Sequence, residues 1–443
     1  MGGVEDRAGP RGIHSGKQHL GVSGENISSV ARAQWPMIVA GALAAGALVA
    51  GLGFYFGAMR DLAPPAASPP TTFLAPSRAA VGKLSALADQ VRRITRETSR
   101  ALPAQYDKGG QGVDALLDSP ITQLLPATIE GITEGASSPS QTKALADLEE
   151  SKNVWTLAHR SVQILSLQMQ RQLVRADEGA WRTGQIALRF SRWLLEQSRT
   201  FDQLTLAQSG YTMVLRTLLQ GIDVGHPSNT QLRELASLPE PTGLDQKLLE
   251  GLRAEYALFE TELGQIRSEK SGPLSRITFH PNRTARAWLD AMSGPTRALG
   301  EGSISGAYDA LATELAVLAR QGHGLRNSVG DRLLATTLPG DIAPLAQSVD
   351  LIAAIRLIRA RAGIALHRIE QGTLPEALAQ MAGRELSSVP VDPWDRTGAG
   401  IRFLPGERRI YSLGRNRVDD HGHFSRNLFA DNGTADLGCE FSN

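Results

Sequence analysis

Between residues 78 and 382 apolar side chains recur at steps of three and four, the spacing of one helix face. In "RAAVGKLSALADQVRRITRETSRAL" the periodic positions are Val81, Leu84, Leu87, Val91 and Ile94. In "LADLEESKNVWTLAHRSVQILSLQMQRQLVRA" the expected core positions are Trp155, Leu157, Val162, Leu165 and Leu167. "GAWRTGQIALRFSRWLLEQSR", "LTLAQSGYTMVLRTLLQGI" and "LDQKLLEGLRAEYALFETELGQIR" continue the pattern. Interruptions at Gly179, at 200–202 and at Gly221 predict turns between antiparallel helices. From about 342 to 370 the spacing predicts one long helix with a stripe of Val349, Ile352, Ile355, Ile358, Ala362, Ala365 and Ile369. Arg356, Arg359, Arg361 and Arg368 fall largely off that stripe and are expected on a solvated face.

After Gly372 the pattern changes. "LPEALAQM" predicts a short helix with Pro375 in its first turn. "VPVDPW" must be extended, because Pro390 and Pro393 disfavour helix at the residues before them. "IRFL" and "RIYSL" predict two short strands joined at Pro405 and Gly406.

The other end differs again. From Ala33 to Met59 no charged side chain occurs, a length that spans a bilayer. Trp35 stands at one end and Phe54, Tyr55 and Phe56 at the other, where amphipathic rings favour the headgroup layer. Arg7, Arg11, Lys17 and Arg32 precede the span and only Arg60 follows closely, which orients the N-terminus to the cytoplasm. Gly53 and Gly57 form a small-xxx-small pair that would let two anchors pack as a homo-oligomer. The expected class is therefore mainly α. Its parts are a disordered cytoplasmic tail (1–34), a transmembrane helix (35–59) and a Pro-rich linker (60–77). A periplasmic antiparallel helical array (78–341) follows, then a long helix with a small α+β segment and a β-hairpin (342–443).

Charge and chemistry narrow the function by exclusion. Lys+Arg total 46 against Asp+Glu 45, a balance that argues against a nucleic-acid-binding protein. One cysteine, Cys439, allows no internal disulfide. Ser140 and Lys143 fit S-x-x-K, yet no S-D-N element accompanies them, and Ser140 also suits a helix N-cap. "EGSISG" (301–306) has Ile304 where a G-x-S-x-G nucleophile would stand. No H-E-x-x-H, C-x-x-C or P-loop occurs, and His159 and His367 sit at ordinary helical positions.

The order of the ending is E-x-G-x-L-P, then V-P-x-D-P-W, then a hairpin closing on Y-S-L-G-x-N. It is carried by Gly372, Leu374, Pro375, Pro390, Asp392, Pro393, Trp394, Tyr411, Ser412, Leu413, Gly414 and Asn416. It resembles the C-terminal region of the major pseudopilin of type II secretion systems. No basic leader and no glutamate open the apolar run before Met37, so pseudopilin processing and pilus assembly are not expected. The fuller arrangement, with "PNRT" at 281–284, is similar to a group of uncharacterised bacterial single-pass envelope proteins. The pseudopilin resemblance implies a calcium loop, for which the candidate ligands are the carbonyls of Leu413 and Val418 and the side chains of Asn416, Asp419 and Asp420. Arg415 and Arg417 would weaken such a site, and a solvated polar loop is the alternative. His421 and His423 with Asp420 would suit a transition metal. The resulting expectation is a non-enzymatic binding or scaffold protein whose partner is an envelope protein or a secretion-system component. A secretion-system accessory role and a hydrolase acting on a cell-wall polymer are the alternatives.

Overall fold

The computed structural model describes residues 117–134, 140–142, 145–269, 278–320, 327–424 and 436–441, preceded by 73–75, 82, 85–89 and 91. The tail (1–34), the anchor (35–59) and all of the linker except 73–75 lie outside the described residues. Among the described residues no helix is long and apolar enough to cross a membrane. The elements run β1 (Phe73–Ala75), α1 (Pro120–Glu134), β2 (Ser140–Thr142), α2 (Leu145–Val174), α3 (Gly179–Gln197), α4 (Phe201–Val224), α5 (Asn229–Ala236) and α6 (Leu244–Glu269). They continue with α7 (Pro281–Gly300), α8 (Ile304–Arg320), α9 (Ser328–Gln371), a 3₁₀ turn (Leu378–Met381), β3 (Arg402–Leu404), β4 (Arg409–Ser412) and β5 (Leu437–Glu440). The fold is mainly helical with a small antiparallel sheet near the C-terminus.

Helix boundaries follow local chemistry. Thr200 begins α4, its side chain accepting the Gln203 backbone N–H. Ser228 and Gln231 make a reciprocal capping box at α5. Gly372, at φ 74°, closes α9 and donates its N–H to the Arg368 carbonyl. Helices α2, α3 and α4 pack against one another, α7 joins α6 to α8, and α9 lies against α4, α5 and α8. Trp155, Leu157, Val162, Leu165 and Leu167 are all buried, as their spacing predicts.

Several expectations change. The turn expected at Gly221 does not form; α4 runs on to Val224 and ends at Gly225. Gly221 is small because a helix crosses there: a Cβ would stand 3.3 Å from the Trp181 ring. Ser140 is not a helix cap but part of β2, which pairs antiparallel with β1 in the register Phe73↔Thr142. Part of the linker is thus extended, as its prolines require, but returned to the body. "LPEALAQM" forms only the 3₁₀ turn.

The long helix departs most. α9 begins at Ser328, well before 342, and carries Pro339 and Pro344 inside it. Each proline removes one helix hydrogen bond. The burial of Leu334, Leu338 and Leu345 on either side offsets that loss. Its C-terminal half is buried nearly all round, Leu351, Ile355, Leu357, Ile358 and Ala362 being 0 % exposed, so it is a core helix rather than a one-striped surface helix. Ile369, expected on the stripe, is exposed.

The C-terminal sheet has the order β3-β4-β5, with Phe403↔Ile410 and Ile410↔Cys439 in register. β3 and β4 are the expected hairpin around Pro405 and Gly406. β5 returns from the end of the chain and carries little strand signal of its own. The sheet packs on α9.

Candidate functional site

"VPVDPW" is extended by its prolines, and its backbone crosses to 399–401 rather than joining the sheet. Asp392 N–H donates to the Ala399 carbonyl (2.8 Å) and Ile401 N–H to the Pro390 carbonyl (2.9 Å). This fold carries the Asp392 carboxylate inward, where it is 1 % exposed. Its Oδ1 accepts the Trp394 N–H (3.0 Å) and the Ser412 hydroxyl (2.6 Å). Its Oδ2 accepts the Leu413 N–H (2.8 Å) and Arg402 Nη1 (3.1 Å). One carboxylate therefore ties the proline loop to β3, to β4 and to the turn after β4. Loop N–H groups have no ladder to join, so a buried carboxylate is an economical acceptor for them.

A second buried carboxylate fixes this unit to the array. Asp350 on α9 accepts the Trp394 indole N–H (3.0 Å) through Oδ1 and Arg415 through Oδ2 (Nε 2.9 Å, Nη2 2.5 Å). Burial pushes the Asp350 carboxyl up, and Arg415 and Trp394 act against that. Tyr308 from α8 meets the Trp394 ring edge-on at 5.2 Å, and Arg417 covers it at 5.6 Å while donating to Asp309 on α8 (2.7 Å). Arg396 reaches the same Asp309 at 3.0 Å.

These contacts change the reading of the arginines. Arg415 and Arg417 do not point into the loop that carries them; they clamp it to α9 and α8. The solvated face expected on α9 is also largely absent. Arg356 makes a two-point pair with Glu240 (2.7 and 3.0 Å) and donates to the Val391 carbonyl. Arg359 reaches the Ala236 carbonyl and Ser387. Arg361, buried, pairs with Asp223 at 2.5 Å and lies 4.7 Å above the Phe441 ring. Arg368 alone of the four is exposed. They lie off the apolar stripe, but α5 and the C-terminal unit cover that side of the helix.

The candidate calcium ligands lie in one turn after β4. Asp419 Oδ1 accepts the Tyr411 hydroxyl (3.1 Å) and the His421 N–H (2.9 Å), and its Oδ2 is 3.3 Å from Arg402. Burial pushes Asp419 up, but these partners outweigh it and hold the carboxyl below its ordinary value. Asp420 Oδ2 accepts from Asn416 Nδ2 (2.8 Å), and Asn416 Oδ1 accepts the Val418 N–H (3.1 Å). Leu413 is held through its N–H by Asp392, and the Val418 side chain is exposed. Asp436, which no local pattern singles out, joins this loop from just before β5. Its Oδ2 accepts the Gly422 N–H (2.8 Å), its Oδ1 is buried without a hydrogen bond, and burial with Asp420 and Asp419 nearby pushes it up to about 6.

The oxygen donors are thus the kind calcium takes, but the described carboxylates are turned to protein partners. Among the described residues no three His, Cys, Asp or Glu side chains gather as a metal-binding group. The described part of the loop is closed by its own side chains. His421 and His423 are both exposed. His159 and His367 have structural partners, the Leu206 carbonyl at 3.0 Å and Glu385 at 2.9 Å. In "PNRT" the Thr284 hydroxyl is buried between the His280 carbonyl (3.0 Å) and Asn327 Oδ1 (3.2 Å), joining α7 to the start of α9.

Searches of protein-family models, of curated proteins and of solved structures each return no match.

Proposed function

We propose that the chain is a non-enzymatic, single-pass envelope protein. Residues 35–59 anchor it, the N-terminus lies in the cytoplasm, and the helical array holds another envelope protein in the periplasm. The pseudopilin-like ending serves as a cap on the array. The observation that carries the reading is the double tie of Asp392 and Asp350, which spends the polar groups of the ending on bracing it against α9. The uncharged span at 33–59 supports the location. The resemblance of the ending favours a secretion-system component as the partner.

The full-length chain, expressed in a Gram-negative bacterium, tests the location. It should stay in the membrane pellet through alkaline carbonate, and its body should be digested in spheroplasts but not in intact cells. Release by carbonate, or a body protected in spheroplasts, would overturn the anchor or its orientation. Photocrosslinkers at the exposed apolar positions Leu124, Val174 and Val224 of the array then test binding. A discrete adduct at one or more of them is expected in vivo, and none at all three would count against the array as the holding surface.

A further inference from the structure

In the first half of α9 one buried carboxyl lacks the bracing found in the C-terminal unit. Asp341 is 4 % exposed and its Oδ2 has no hydrogen-bond partner. α6 brings Glu255 toward it, itself accepting the Phe201 N–H of α4 at 3.1 Å. α7 brings Trp288, whose indole N–H is near enough to favour the charged carboxylate but forms no well-aligned hydrogen bond. Tyr256 and Phe259 of α6 pack on the Trp288 ring at 5.1 and 6.0 Å, and the Tyr256 hydroxyl turns to Glu260 (2.6 Å). Burial, with the like charge of Glu255, pushes Asp341 up to about 8, so the neutral acid is the form this packing accepts.

The backbone around it carries both prolines of the helix. Pro339 and Pro344 cannot donate to the carbonyls of Ala335 and Gly340, and Gly340 itself has low helix propensity. Before this stretch α9 holds the knot with α7, where Asn327 Oδ1 accepts the His280 N–H (2.8 Å). Beyond it α9 carries Asp350, Arg356 and Arg361 and so the whole C-terminal unit.

We propose that Asp341 is the proton-sensitive element of a hinge in α9, packed while the carboxyl is neutral and opened when it is charged. A buried, unpaired carboxylate draws in water or moves out to it, and here the helix on both sides has already lost backbone hydrogen bonds.

Hydrogen exchange of the full-length chain in detergent, from pH 6 to 9.5 and corrected for the intrinsic pH dependence of exchange, tests this. Protection of amides in 336–348 should fall at least tenfold between pH 6 and 8 and level off above about 8, while α2 and α3 keep theirs. In Asp341→Asn, which stays neutral, the fall should vanish. In Glu255→Gln the loss of the neighbouring charge should make the fall level off at lower pH. Protection independent of pH, a fall shared equally by α2 and α3, or the same fall in Asp341→Asn would each overturn the hinge. If Asp341→Asn does not fold, a levelling-off pH unmoved in Glu255→Gln overturns it.

Discussion

The helical array and the C-terminal unit reach a fixed structure by different means. In α2, α3 and α4 the backbone satisfies itself, and leucines, aromatics and alanines at helical spacing do the packing. In 390–424 most of the chain is loop, so buried carboxylates accept the N–H groups that no ladder takes: Asp392 serves four donors and Asp350 three. The array should lose stability gradually as side chains are trimmed. The C-terminal unit should fail sharply when one acceptor is removed, because several donors are stranded at once.

The largest effect that would test this contrast is Asp392→Ala. It leaves the Leu413 and Trp394 N–H groups and the Ser412 hydroxyl without their acceptor and takes one of three carboxylates from Arg402, at a cost of about 3–5 kcal/mol in the denaturation of the full-length chain followed by Trp fluorescence. A loss no larger than a surface substitution would end the comparison. Leu165→Ala, fully buried in α2, should cost about 2–4 kcal/mol and leave the C-terminal contacts intact. Ser228→Ala, which removes a cap on the rim of the array, should cost about 1 kcal/mol by the same measurement.

Acid and base sharpen the comparison further. The Thr397 hydroxyl and Arg402 hold Asp395 down to about 2. A carboxyl with a lowered folded value contributes stability that is present above about pH 4 and lost as pH falls toward 2. Asp436 has the opposite sign: raised to about 6, it makes the C-terminal unit less stable as pH rises from about 4 to 6, with no further change above. Denaturation between pH 2 and 7 should therefore show a slope at low pH removed by Asp395→Asn and an opposing slope removed by Asp436→Asn. Unchanged slopes in both variants would show that neither carboxyl differs between folded and unfolded chain. The smallest effect expected is that of calcium. Since Asp419, Asp420 and Asn416 already have protein partners, millimolar calcium should move the melting midpoint by less than about 1 °C. A larger rise that Asp420→Ala abolishes would make the loop a calcium site.

Much of the candidate site was legible in its parts. Pro390 and Pro393 force "VPVDPW" out of helix, and Tyr411 and Ser412 fall on an expected strand. Asp392 stands out in the string, but its role as an acceptor for Ser412 and Leu413, 20 and 21 positions on, depends on the hairpin folding back. Asp436 could not be found by spacing, because it meets Gly422 only once β5 pairs with β4. By position Arg415 and Arg417 are charges in their own loop, whereas their partners lie 65 and 108 positions away.

What the sequence determined by itself is local. Residues 154–174, 179–197, 201–220 and 244–269 are helices because their apolar period acts within a few residues, and Thr200 caps the third. The hairpin at 402–412 follows from Pro405, Gly406 and the two flanking apolar runs. Only the tertiary structure decided that α9 runs through Pro339 and Pro344, that Arg361 is buried on Asp223 across 138 positions, and that Asp350 receives Trp394 and Arg415. Backbone preference is set by neighbours along the chain, whereas burial and ion pairing depend on which distant surfaces meet.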